Sequence, residues 1–220
     1  MSVTISGSSG IASVDGSAGS PSVRGTDANS GILYSSDEIK FATGGTERMS
    51  ITNNGFTGII QGFTEVDRWL LTSNASTSQN PIDNNWARSS LSANGVAQNL
   101  PIGTGMSESS GVFSFPSTGR WWVRFQGNVR HSSGNQWAEA YIKVTGDNGS
   151  NWNYYAVAYD NQYDDSSWVY GTINTDTFID VEDTSNDKVS IQLMFDTSND
   201  GVILGGTYAT GITFLKIGET

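Results

Sequence analysis

Hydrophobic and polar residues alternate most strictly over residues 111–131, GVFSFPSTGRWWVRFQGNVRH. Val112, Phe113 and Phe115 are apolar before a Pro-Ser-Thr-Gly corner. After it, Trp121, Val123, Phe125 and Val129 share one parity, while Arg124, Gln126, Asn128 and Arg130 share the other. A period of two over this length predicts strands with one face buried and one wet. Pro116 has no N–H for a ladder and Gly119 relaxes the turn, so the pattern predicts a β-hairpin at the centre of an antiparallel sandwich. Trp122 breaks the rule, standing as a large aromatic on the polar face.

The same period recurs downstream. Residues 138–145, 152–160, 168–172 with 177–181, 189–196 and 208–217 read as strands, separated by DNGSN, DNQYDDSS, EDTSND and DTSNDG loops. Strands spaced by about ten residues predict a sandwich or jelly roll. Val189, Ile191, Leu193 and Phe195 form one face. In GITFLKIGET both parities carry apolar residues, which predicts a central strand covered on both sides.

Residues 21–62 have a different texture. Short pieces at 31–35, 38–43, 48–52 and 56–60 are cut by SSD, GGT and NNG turn signals, and each carries two or three apolar residues. About forty such residues cannot close a core alone. Several copies around one axis can, with Ile32, Tyr34 and Phe41 facing a shared prism. Residues 1–20, rich in Gly, Ser and Ala, hold too little apolar area to offset their ordering entropy and read as a flexible attachment arm or a strand donated to a partner. Residues from 65 onward form the head domain.

Composition narrows the function. There are 26 Gly, seven Trp, eight Tyr and no Cys, which suits an all-β chain with many tight turns. Eleven basic against 22 acidic residues give a net charge of −11, which argues against nucleic acid as a partner. No apolar run is long enough to insert into a membrane, and the first residues lack the charged-then-apolar plan of a signal peptide.

The run PSVRGTDANSGILYSSDEIKFATGGTERMSI carries a P-S-hydrophobic-R-G-x-D-x-N-x-G-I opening, then F-A-T-x-G-x-E-R and a closing hydrophobic-x-I. It resembles a module of structural proteins from tailed phages, especially cyanophages and other marine phages. The resemblance implies a virion protein and not an enzyme. Further on, IGTGMSESSGVFSFPSTGRWWVRF, VEDTSNDKVSIQLM and TGITFLKIG resemble the head of the complement and tumour-necrosis-factor superfamily. That resemblance implies a ten-strand jelly roll that forms homotrimers, with apolar and aromatic residues lining the axis; Trp122, Phe214 and Leu215 are the candidates.

Chemistry is sparse. His131 is the only histidine and reads as a hydrated residue at a strand end; with no cysteine, triads and thiolate or zinc sites lack their groups. Adjacent acids such as Asp164 with Asp165, or Glu182 with Asp183, read as turn formers rather than as a glycosidase pair. Calcium has oxygen ligands to consider in the acidic loops, but no EF-hand spacing is present, so no metal or cofactor is expected. The aromatic window 152–170, beside those loops, suggests core and subunit packing or a glycan site built from Trp152, Tyr163, Asp164, Asp165 and Trp168.

These readings combine into an expected all-β homotrimer on a phage particle, contacting other virion proteins through its N-terminal region. Two roles compete: a short tail fibre or spike that attaches to a host-surface glycan or protein, and a capsid decoration protein that bridges capsomers. A secreted carbohydrate-binding adhesin is a third.

Overall fold

Two-residue turns fold the N-terminal residues back and forth into one sheet. This computed structural model describes residues 15–57, 63–83, 85–90, 92–93, 96–97, 100–131, 134–164, 169–196, 201–206 and 209–220. The chain divides into two units, Met1–Gly62 and Phe63–Thr220. Among the described residues the secondary structure is all strand and turn, with no helix.

In the first unit, β1 (Val23–Arg24), β2 (Gly31–Ser35), β3 (Glu38–Thr43), β4 (Thr46–Thr52) and β5 (Gly55–Thr57) pair in chain order as a single antiparallel sheet. Gly44 and Gly45, at φ +58° and +74°, close the β3–β4 hairpin with the left-handed pair of conformations that matches strand twist. The register puts Val23, Ile32, Phe41 and Met49 in one cross-strand row and Tyr34, Ile39, Ile51 and Phe56 in the next, all on one face. The other face carries Lys40 in ion pairs with Glu38 (2.8 Å) and Glu47 (3.5 Å). Residues 1–14 of the expected arm and 58–60 of an expected strand lie outside the described residues. Ser17 and Ser20 close a small turn through reciprocal backbone hydrogen bonds of 3.1 and 3.0 Å.

The second unit is built from β6 (Val66–Leu71), β7 (Ala75–Ser76), β8 (Trp86–Arg88), β9 (Ser92–Ala93), β10 (Val96–Ala97), β11 (Ser107–Ser109), β12 (Val112–Ser114), β13 (Gly119–His131), β14 (Gly134–Thr145), β15 (Asn153–Asp164), β16 (Val169–Val181), β17 (Lys188–Phe195), β18 (Val202–Ile203) and β19 (Gly211–Gly218). Among the described residues, ten of these form two facing five-stranded antiparallel sheets. One has the order β11-β12-β17-β14-β15 and the other β8-β6-β19-β13-β16, extended by the short β18–β7 pair. This is a jelly roll.

Its core lies between the sheets. Phe113 packs edge-on against Trp69 (5.7 Å between ring centroids) and Trp86 (5.5 Å) and tilts against Phe214 (5.2 Å). Trp121, Val123, Phe125 and Val129 of β13 are buried, as the alternation predicts, and Val189, Ile191, Leu193 and Phe195 of β17 face them.

Three expectations are corrected here. The Pro-Ser-Thr-Gly corner does not close a hairpin: β12 pairs with β11 and β17, while β13 pairs with β16, β18 and β19. The corner carries the chain from one sheet to the other, so Phe115 and Trp121 meet across the core at 5.3 Å. Gly119 is required there, because at φ +131° a Cβ would sit 2.6 Å from the Gly218 carbonyl oxygen. His131 is not hydrated; it ends β13 on the core parity, buried, its ring edge-on to Phe195 at 5.4 Å. Phe214 does not line a subunit surface. It is fully buried against Phe113 and Phe115, because its partner across the ladder is core-facing Val123.

Candidate functional site: three exposed faces

The outward face of the β8-β6-β19-β13-β16 sheet carries an apolar row. Phe178 lies opposite Trp122, Trp122 opposite Leu215, and Leu215 opposite Val66. Phe178 is 65% exposed, the other three half-buried. Trp122 Nε1 donates to Asp176 Oδ2 at 3.0 Å, which ties the indole to the neighbouring strand. Charged rungs flank the row: Arg120 with Asp180 (3.9 Å) on one side, Arg124 beside Asp176 on the other. The row is thus framed by residues of both signs. Farther along this face, Asn128, Tyr170, Gly171, Thr172 and Leu204 line a shallow cavity of about 230 Å³. Its hydroxyl and amide serve each other, Thr172 Oγ1 donating to Asn128 Oδ1 at 3.2 Å.

The second face belongs to the N-terminal sheet. Ile32, Tyr34 and Phe41, the residues expected at a shared prism, stand together in its two apolar rows. Ile39, Met49, Ile51 and Phe56 complete those rows, and Phe56 is 53% exposed. Among the described residues of this unit no second sheet faces them.

The third face is the outward side of the other head sheet, at its β15 edge. Of the residues expected at a glycan site, Trp152 is half-buried just before β15, with Lys143 Nζ 5.6 Å from the centre of its ring. Tyr163 and Asp164 end β15, but their side chains, like Asp165 and Trp168 altogether, lie outside the described residues. The structure places other aromatics on this face. Tyr154 packs against Tyr141 at 4.8 Å, and Tyr159 lies opposite Glu139. The Tyr141 hydroxyl donates to Glu139 Oε2, and that bond holds its pKa above the ordinary phenol value. Tyr154 and Tyr159 fall in the aromatic window 152–170 read from the sequence; Tyr141 and Glu139 were missed because β14 looks like an ordinary core strand, with Ala138, Ala140 and Ile142 on its buried parity.

The acidic loops form turns. Asp187 Oδ2 accepts from the Glu182 and Asp183 amides, both at 2.8 Å, and Asp183 Oδ1 accepts from the Ser185 amide at 2.8 Å, which lowers the Asp183 pKa. Asp147 accepts from Thr145 Oγ1 (2.6 Å) and the Asn151 amide (2.8 Å); these bonds pull its pKa down to about 2. Among the described residues no group of three or more His, Cys, Asp or Glu side chains is placed to hold a metal ion. Asp67 is also structural. Its carboxylate, buried beside the core, accepts from Arg88 Nη2 (3.0 Å), Trp69 Nε1 (3.0 Å) and the Met106 amide (2.8 Å), tying β6, β8 and residues 100–106 together.

No family model and no curated protein matches the sequence. Solved structures do match. The Eiger TNF of S. frugiperda superposes over 72% of this chain and 96% of its own, with a TM-score of 0.53 at 10% identity. The head is a TNF-like jelly roll. Murine APRIL, from a crystal at pH 5.0, aligns over 70% of this chain and 98% of its own, with a TM-score of 0.50 at 10% identity. At that identity the likeness is one of fold. In the TNF-like head the Phe178–Trp122–Leu215 row and the tyrosine face lie on the outer sides of opposite sheets.

Proposed function

We propose that this chain is a homotrimeric virion protein of a tailed phage, with a jelly-roll head that attaches to the host surface and no catalytic role. The observation that carries the reading is the N-terminal sheet, which buries Leu33 and Ala42 on one face but leaves Val23, Tyr34, Ile39 and Phe56 exposed on the other, with no second layer over them among the described residues. A single layer of short strands is not a stable unit in water, so a partner must cover it. Copies of the same sheet wound about one axis supply that cover. The head has its own surface suited to self-association in the Phe178–Trp122–Leu215 row, where burying the exposed Phe178 contributes roughly 1.5–3 kcal/mol. The phage placement rests on the resemblance of residues 21–62 to virion modules.

The test is gold-labelled antibody on intact particles, together with adsorption assays in which purified protein competes with phage. Label on the tail and blocked adsorption are the expected results. Label confined to the capsid would replace attachment with capsid decoration, and absence from particles would overturn the virion reading.

A further inference from the structure

We propose that the outward face of the β14–β15 edge is a binding platform for a neutral pyranose oligosaccharide, a ligand that deepens the attachment reading above and rests on it. The strand pair shows an inversion of the usual pattern. Its core side carries Ala138, Ala140, Ala156 and Ala158 beside only Ile142 and Val144, while its tyrosines point outward. Tyr154 and Tyr159 are each 61% exposed. Aromatic surface on the side away from the core adds little to folding, and a contiguous patch of it marks a binding surface.

A β-bulge builds the patch. The register passes from Ile142–Ala156 to Lys143–Tyr154, leaving Tyr155 as an extra residue. Without that extra residue Tyr154 would fall on the core side, two positions from Ala156; with it, Tyr154 joins Lys143 and Tyr141 on the outside. Polar groups surround the rings in fixed positions. Lys143 is only 7% exposed, with Nζ 5.7 Å from the Tyr154 ring and donating to Asn80 Oδ1 at 2.7 Å. Gln192, also buried, accepts from the Tyr154 hydroxyl at 3.4 Å. Glu139 supplies a carboxylate between Tyr141 and Tyr159.

This combination fits a sugar ring. Pyranoses present a flat C–H face that stacks on an aromatic ring and a rim of hydroxyls that need one donor and one acceptor each. The tyrosine rings supply the stacking surface, Gln192 Nε2 a donor and Glu139 an acceptor. Lys143 to Glu139 spans four residues of strand, about 13 Å, enough for an oligosaccharide rather than one ring. A net charge of −11 repels acidic polymers, and the platform itself carries Glu139, so the ligand is neutral. A protein partner fits less well, because Val157 is the exposed aliphatic residue among tyrosines here.

The full chain, bound to an array of neutral, amino and acidic oligosaccharides, tests the proposal, followed by calorimetry with the tightest neutral ligand. Neutral oligosaccharides bind; Tyr154→Ala and Tyr159→Ala each weaken binding about tenfold or more, while Tyr170→Ala on the opposite sheet changes nothing. Both tyrosines are exposed, so unchanged melting curves establish that these variants fold. A blank array, binding of acidic sugars alone, or full affinity in both variants overturns the platform. If the array is blank while the protein still blocks phage adsorption, the platform fails and attachment stands, through a protein receptor. If sugar binding is lost in both variants but antibody finds no label on particles, the platform stands and the virion reading fails.

Discussion

In the head, Phe113 of one sheet touches Trp69, Trp86 and Phe214 of the other, so apolar residues of the chain cover each other. In the N-terminal unit, Tyr34, Ile39 and Phe56 stand on a sheet whose described residues offer no facing layer. Both regions obey the same alternation, yet the head closes its core between two sheets, whereas the described N-terminal strands leave Tyr34, Ile39 and Phe56 exposed. The difference lies in length. Strands of 12 or 13 residues such as β13, β14 and β16 supply enough area for two layers, whereas β2 to β5, of three to seven residues, supply one.

Substitutions separate the two regimes. Phe113→Ala should have the largest effect on the head, a loss of about 3–5 kcal/mol in chemical denaturation, because it empties the space between three rings. An equal loss from Phe56→Ala in the monomeric state would erase the distinction. Asp67→Ala comes next. It strands Arg88 and the Met106 amide without their acceptor and should cost about 2–3 kcal/mol, less than a fully buried pair because Arg88 is about one-third exposed. The double variant Ile39→Ser and Phe56→Ser should leave the head transition within about 0.5 kcal/mol of the parent, as surface changes do, while lowering the assembled mass. Light scattering and the melting curve, read together, check both halves of that statement.

The smallest effect concerns pH. The Asp147 pKa is depressed, about 2 against an ordinary 3.8, so the unfolded chain takes up its proton first as pH falls. The contribution of this loop to stability is therefore complete above pH 3.8 and is lost as pH drops toward 2. Melting curves between pH 5 and 2 should converge for the parent and Asp147→Asn at the acid end.

Much of this was legible in the sequence, and the misses share a cause. Alternation over 119–131 identified the buried parity of β13, and the same rule extended by one step would have placed His131 inside. Alternation does not say which strand is the partner, so the corner at 116–119 read as a hairpin although it passes between sheets. Parity relative to β13 separates Phe214 from Leu215, and that register depends on contacts about ninety residues apart in sequence, Val123 with Phe214. The aromatic window 152–170 was visible in the sequence, but the bulge after Ile142 leaves no mark in the local pattern, so the placement of Tyr154 on one face with Tyr159 and Tyr141 came only with the pairing. Nothing in the local sequence marks Asp67, whose role rests on Arg88 and the Met106 amide, distant in the chain.

The central claim is that copies of the chain cover the N-terminal sheet, and sedimentation equilibrium of the full chain tests it most directly. Three chains of 23.5 kDa predict a single species of about 70 kDa that falls apart in the Ile39→Ser and Phe56→Ser variant. A folded 23.5 kDa monomer across the micromolar range, or an assembly indifferent to those substitutions, would contradict it.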